Sequence, residues 1–305
     1  MLKVIFALLI AVFLCVGISA ADDVINSSSA LTLQISTLPE AKLGFTQRFI
    51  FPFLQGFGPL TEGNNINLSF TAEVSPISLN GFVTAVWTPV AFFDLTAGGR
   101  IGTGWNIELF GNELRGIGLN RSAGGQSELS GSAFDGMLWK AQIGGAFQFD
   151  LAAIFPGDWN HIVARSYHEI NYSGYTRAKA GESWYFENDF GENTNGFNYY
   201  GNFLLGYQMP LFLNMAALLA EANLYLYDIA NRSIWGDDKL RWTFSGILNM
   251  AIQRKFEITL ITQFRTMRNY LGAWEGVYYR DRTLDTSNPL RLQFFRVAAV
   301  MTYKF

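Results

Sequence analysis

Ser166 and His168 stand two positions apart, so on an extended strand they share one face, and a hydroxyl beside an imidazole is the start of a nucleophile and base pair. Acyl transfer by such a pair needs a third group to orient the imidazole, and no Asn or Asp can be identified for that role. The other histidine, His161, is spaced from His168 in a way that fits neither a two-histidine zinc helix nor a cysteine-containing zinc site. Gly98, Gly99, Gly102 and Gly104 do not spell G-x-G-x-x-G and no helix follows, so they read as strand glycines that allow a bend or free interior space. The polar run from Glu187 to Asn195 lacks the ordered ligand spacing of a calcium loop and reads as a solvated external loop. The one cysteine, Cys15, falls in an N-terminal apolar run, which leaves the rest of the chain without disulfide or thiol chemistry. Taken together these residues predict no enzyme activity, no metal and no cofactor.

The elements that position these side chains are strands. Half of the residues are hydrophobic and 16% aromatic, yet past the N-terminal run no apolar stretch reaches the roughly 20 residues that a membrane helix needs. From Leu240 to Gln253, Leu240, Trp242, Phe244, Leu248, Met250 and Ile252 alternate with Arg241, Thr243, Ser245, Asn249 and Gln253. After Arg254 and Lys255 the pattern resumes, with Phe256, Ile258, Leu260 and Phe264 on one face and Glu257, Thr259, Gln263 and Arg265 on the other. Met137 to Asp150, Ile66 to Val74 and the terminal stretch Phe295, Val297, Ala299, Met301, Tyr303 and Phe305 repeat the theme. Lipid on one face and water on the other produce this dyad. Only helices and closed barrels satisfy every backbone polar group in lipid, so dispersed strands predict an all-β, transmembrane, antiparallel up-and-down barrel. Strands are expected near 28–36, 42–53, 64–75, 79–88, 91–105, 134–150, 160–176, 197–209, 213–228, 238–253, 256–270 and 289–305: about twelve, with ten or fourteen as alternatives because placement before residue 91 is not fixed. The runner-up is an exported soluble all-β protein.

Long links at 106–133, 177–196 and 271–288 against short ones at 210–212 and 254–255 set the orientation, since bacterial barrels have short periplasmic turns and longer external loops. Trp105, Trp139 and Trp242 then fall near outer strand ends, and Trp87 and Trp159 near periplasmic ends, as interfacial girdles require. On this register Lys42, Arg48, Arg100, Lys140, Arg165, Arg241, Arg265, Arg296 and Lys304 point inward, against Glu73, Asp94, Asp150, Glu169, Glu221 and Glu257. Two readings follow. The charges line an open channel with a weak preference for anions, or they pair across the lumen and fill it. The link 106–133 carries Ile107, Leu109, Phe110, Leu114, Ile117 and Leu119, more apolar side chains than a loop in water needs. It is expected to fold inward, placing Glu108, Glu113, Arg115 and Arg121 at a constriction. The other expectation is an external hairpin packed on its neighbours.

The chain opens with Lys3, an apolar run from Val4 to Ile18 and small residues at Ser19, Ala20 and Ala21. This is the pattern of a secretory signal over residues 1–20, cleaved after Ala20 or Ala21, followed by a barrel domain over 21–305. Export, alternating strands and a terminal aromatic together resemble the Gram-negative outer-membrane β-barrel proteins. That resemblance rests on architecture rather than on a family motif. It implies a porin-like protein of the outer membrane, with membrane lipids and the barrel-assembly machinery as partners, and it assigns Tyr303 and Phe305 to the assembly signal. An outer-membrane phospholipase of this kind carries a His and a Ser two apart on its barrel exterior, but in the order opposite to Ser166 and His168. Net charge is −3, and no basic patch of the kind nucleic-acid binding needs is evident. The expected function is a narrow diffusion channel for small polar solutes. The alternatives are a plugged structural or surface-interaction barrel and a lipid-modifying enzyme.

Overall fold

The computed structural model describes residues 26–38, 40–109, 111–187, 189–227, 233–273 and 275–305. The expected signal and its cleavage points lie outside the described residues. In chain order the strands are β1 Asn26–Ser36, β2 Glu40–Pro52, β3 Asn65–Val74, β4 Ser78–Val90, β5 Phe93–Gly104, β6 Ile107–Leu109, β7 Asn112–Leu114, β8 Ile117–Ala123 and β9 Gln126–Ser130. They continue with β10 Leu138–Asp150, β11 Ile162–Tyr175, β12 Ser183–Phe186, β13 Asn193–Thr194, β14 Gly196–Gln208, β15 Leu213–Tyr225, β16 Arg241–Gln253, β17 Phe256–Arg268 and β18 Leu290–Lys304.

Twelve of these close into an antiparallel barrel in the order β1-β18-β17-β16-β15-β14-β11-β10-β5-β4-β3-β2. Closure is made by β1 on β18, with Ala30 opposite Lys304 and Ser36 opposite Ala298, so no edge is left unpaired. Each of the twelve lies where the hydrophobic alternation predicts it; the largest displacement is at the start of β10, which opens at Leu138 rather than 134. The short β6 to β9, β12 and β13 belong to the connections.

Alternation decides which face is wet. Ile143 and Leu218, in mid-strand, are 67% and 68% exposed, as are many other outward Leu, Ile and Phe side chains to lesser degrees. So much bare apolar surface is stable only against lipid. Aromatic rings cluster at both rims: Trp139 lies 4.9 Å from Tyr172, which meets Phe197 at 5.1 Å, while Phe53 meets Trp87 and Phe92 meets Phe147 at the opposite end.

All connections at 105–137, 176–195, 226–240 and 269–289 leave from one end, and both described termini sit at the other, with the two-residue links 91–92 and 254–255. The first third inverts the rule: the outer turns 37–39 and 75–77 are short, while 53–64 at the opposite end is long. That segment folds back on itself, with Phe53 N–H donating to Asn64 O and Gly56 N–H to Thr61 O, so its length does not displace the strands.

One departure from simple alternation lies in β18. Gln263 opposes Arg296 and Phe264 opposes Phe294, so Phe295 is an extra residue, a β-bulge. Phe294 takes the outward place, and Phe295, expected on the lipid face, instead lies 3.8 Å from the guanidinium carbon of inward-facing Arg265. The sequence is apolar at both positions, and the bulge chooses between them.

The register gives a direct stability expectation. Leu248 is 44% exposed on the lipid face and Asn249 bonds Thr259 at 2.7 Å inside. Leu248→Arg is expected to cost about 2 kcal/mol more than Asn249→Arg in a folding titration into bilayers. Equal costs would refute the assignment of faces.

Candidate functional site

The inner wall is polar, and its charges are mostly matched. Lys140 pairs with Glu169 at 2.7 Å, and Glu169 also accepts from Tyr167 at 2.7 Å and Asn171 at 2.9 Å. Glu221 accepts from Tyr200 at 2.7 Å, and Arg165 stacks over Tyr167 and reaches Asn202 at 3.4 Å. Arg296 pairs with Glu40 and donates to Gln263 at 2.6 Å; Lys304 pairs with Glu257 at the lower rim. Asp94 accepts from Thr88 at 2.6 Å and Asp150 meets His161 at 2.7 Å. Four inward arginines, Arg48, Arg165, Arg241 and Arg265, have no ion pair among the described residues; Arg48 is exposed to the lumen, and Arg241 and Arg265 stack on rings.

The upper lumen is occupied by the connection 176–195, and Glu187 is its anchor. This carboxylate binds Lys42 at 2.6 Å and accepts from Ser78 at 2.7 Å and Asn80 at 2.9 Å, with Arg100 at 3.6 Å. Those partners come from β2, β4 and β5, of which β2 lies across the barrel from β11 and β14, the strands that carry the connection, and β5 only two strands from β11. Glu73 joins the cluster through Asn80 at 3.2 Å and Lys42 at 3.7 Å. Arg100 also lies between the rings of Phe82 and Phe186, at 5.1 and 4.8 Å. Burial opposes ionisation of Glu187, but Lys42, with Ser78 and Arg100, more than offsets it and holds the carboxyl below the usual range. The backbone at Glu187 is left-handed, φ +53°, a conformation that a non-glycine residue adopts at a cost unless its surroundings dictate it. Gly102 is part of the same device: a Cβ there would come 2.4 Å from Asn80 Oδ1, so the glycine keeps the space that Asn80 fills.

Beyond Glu187 the segment continues through the lumen. Phe190 stacks on Arg265 at 4.7 Å, and Glu192 pairs with Arg268 at 2.9 Å. Asp189 borders three cavities of about 290, 290 and 690 Å³ that flank the insert. Its carboxylate accepts from the Gly191 N–H at 2.9 Å and the Asn193 amide at 2.5 Å. It touches lumen water, yet the barrel surrounds it, and that burial pushes its pKa up to about 6 despite the bonds from Asn193 and Gly191.

Over the insert lies a lid of loops. β12 pairs with β8 and β13, and β8 with β9, making a four-stranded sheet. Beneath it Ile117, Leu138, Tyr175, Trp184 and Phe186 form an apolar cluster. Arg268, 2% exposed, pairs with Asp237, 0% exposed, tying 226–240 to the barrel rim. Arg280 donates to Gly181 O at 2.5 Å and Thr194 at 2.9 Å, and Ser122 to Asp281 at 2.8 Å, joining 269–289 to the same structure.

Two expectations are corrected here. The run Glu187–Asn195 is the lumen insert rather than a solvated loop. The link 106–133 supplies the lid instead: Glu108, Glu113 and Arg121 are exposed, Arg115 pairs with Glu113 at 2.7 Å, and Arg121 pairs with Glu182 at 3.2 Å. Only Glu113 of these four borders the 690 Å³ cavity. Of the apolar residues that suggest an inward fold, Ile117 and Leu119 pack under the lid, and Leu114 borders the 690 Å³ cavity. Sequence reading passed over Glu187, Asp189, Arg268 and Asp237; the aromatic run Trp184, Tyr185 and Phe186 ahead of Glu187 was the available signal.

Ser166 and His168 face lipid. Ser166 Oγ lies 3.0 Å from His168 Nε2, and His168 Nδ1 lies 2.7 Å from the Tyr199 hydroxyl. An orienting group is therefore present, a tyrosine hydroxyl from the neighbouring strand β14. Ser166 sits inside ladders with both β10 and β14, where backbone N–H groups are engaged between strands, so no oxyanion donors converge on it. The three groups satisfy one another in an apolar setting. Tyr303 and Phe305 pack edge to face at 5.1 Å at the lower rim, 43% and 64% exposed.

A closed, even-stranded antiparallel barrel with a lipid-facing apolar belt, a polar interior and long loops at one end defines an outer-membrane β-barrel. Among solved structures the chain is similar to the β-domain of the Bordetella autotransporter BrkA, 10% identical over 92% of this chain and 99% of that one, TM-score 0.39. It is also similar to the NanC porin, 7% identical over 91% and 98%, TM-score 0.38, and to OmpT, an outer membrane protein of Vibrio cholerae, 5% identical over 93% and 99%, TM-score 0.33. No family model and no curated protein matches the chain.

Proposed function

We propose that this barrel is a narrow diffusion channel for small polar solutes with a weak preference for anions. The carrying observation is that four lumen arginines, Arg48, Arg165, Arg241 and Arg265, have no ion pair among the described residues, against three lumen carboxylates, Asp94, Asp189 and Glu221, that are held by neutral partners alone. Unmatched cations in a pore walled by low-dielectric protein raise the local concentration of anions. The second reading, a plugged barrel without transport, is favoured by the insert anchored at Glu187. Recording from purified protein in planar bilayers separates them: the channel reading expects single-channel steps with reversal potentials on the anion side, and a wild type that never conducts would replace it with the plugged reading.

Asp189 gives that selectivity a pH dependence. With its pKa at about 6, the carboxyl is mostly ionised at pH 7 and mostly neutral at pH 5, so acidification removes a negative charge from the lumen. Anion preference should rise between pH 7 and pH 5, and the rise should be absent in Asp189→Asn. An identical pH response in that variant would assign the effect elsewhere.

Phe305 serves assembly more than final stability on this reading, because its ring sits exposed at the membrane edge. Deleting it is expected to lower the yield of inserted, heat-modifiable barrel in cells. Normal insertion would argue against its role as the signal for the assembly machinery.

A further inference from the structure

We propose that Arg241 and Arg265 form a carboxylate-binding subsite that small organic acids occupy on their way through the lumen, an inference that rests on the channel reading. The two arginines project from adjacent strands. Thr243 opposes Arg265, so Arg241, two residues along, is its diagonal neighbour at roughly 7 to 8 Å between backbones. Both border one cavity of about 290 Å³, together with Asn193 and Asn223. This is at the small end for a ligand site and suits a compact molecule.

Each guanidinium is positioned by stacking rather than by ion pairing. Arg241 lies 4.1 Å from the Tyr225 ring, and Arg265 stands between Phe295 at 3.8 Å and Phe190 at 4.7 Å. Stacking holds the plane of the guanidinium and leaves its in-plane N–H fork open, which is the geometry that grips a carboxylate with two parallel hydrogen bonds. Neither side chain makes a hydrogen bond or ion pair among the described residues, in contrast to Lys42, Lys140, Arg268 and Arg296. The carboxylates that share the cavity are already engaged: Glu192 by Arg268 and Asp189 by Gly191 and Asn193. The fork is therefore directed at a solute. Phe190 supplies an apolar surface beside it, so the ligand class is a carboxylate attached to a small apolar or ring-shaped body.

Calorimetric titration of the detergent-solubilised barrel with benzoate, and with neutral benzamide as the matched control, tests this without requiring conduction. Benzoate should bind saturably and benzamide should not. Arg241→Gln and Arg265→Gln should each weaken benzoate at least tenfold, whereas Arg48→Gln, an unpaired lumen arginine outside this cavity, should leave it unchanged. Heat-modifiability on gels confirms that each variant retains its barrel. Equal binding of benzamide, or benzoate binding indifferent to both substitutions, overturns the subsite. Benzoate binding that depends on both arginines in a protein that passes no current upholds the subsite and refutes the channel.

Discussion

Glu187→Gln should raise the conductance of the reconstituted barrel several-fold and make the open current noisy. The carboxylate is the hub of a cluster drawn from β2, β4 and β5, and both it and Lys42 are only 15% exposed. Neutralising it leaves Lys42 and Arg100 facing each other with Glu40 and Glu73 as the remaining counter-charges. Breaking a buried pair by removing one partner costs about 3 to 5 kcal/mol, and the remaining carboxylates bring the expected figure to the lower end of that range. The left-handed backbone at Glu187 adds roughly 1 kcal/mol of strain that is released once the tether is gone. The barrel itself does not depend on this contact, since its ladders close without the insert. Loss of the tether therefore moves the segment and leaves the wall standing. Because the folded-state pKa of Glu187 is depressed, its contribution is complete at neutral pH and disappears only below the usual carboxylate range, well under the window in which Asp189 titrates. Unchanged conductance in a variant with an intact heat-modifiable barrel would show that the insert does not limit flow.

The strands were legible because a wall with lipid on one side and water on the other writes a period of two into every strand, and that period is local. Leu240 to Gln253 shows it without reference to anything else in the chain. Where both neighbours are apolar the period loses its meaning, and Phe294 with Phe295 is such a place: the bulge that turns Phe295 inward is visible only in the pairing with β17. The insert was illegible for a different reason. A polar run such as Glu187 to Asn195 has the same composition whether the water around it is bulk or inside the barrel. The partner that decides, Lys42, lies 145 positions away. The longer link 106–133 carries apolar residues in part because it covers the mouth, where Ile117 packs with Trp184 and Phe186, while Glu108, Glu113 and Arg121 are exposed. At the lipid face, the hydrogen bond between Tyr199 and His168 joins two strands, and no local spacing announces it.

The lid has its own keystone, and removing it should have the largest effect outside the insert. Arg268 is 2% exposed and Asp237 0% exposed, with Glu192 as the second partner of the guanidinium at 2.9 Å. Asp237 also receives the Tyr227 hydroxyl at 3.4 Å, and Arg268 lies 5.2 Å from the Tyr279 ring, so segments 226–240 and 269–289 meet at this pair. Asp237→Ala leaves the buried guanidinium with one carboxylate in place of two, at an expected cost of about 3 kcal/mol to local order. The loss should be read as faster amide exchange and protease cleavage at 233–240 and 275–289, with exchange in β16 and β17 unchanged below the rim. A double variant, Asp237→Leu with Arg268→Met, should regain part of the protection, because the two apolar side chains need no counter-charge, although Glu192, 18% exposed, loses its cation. Protection that stays low in the double variant would mean that the pair specifies the loop geometry and does more than neutralise itself; protection that never fell in Asp237→Ala would remove the pair from the account of how the lid is held.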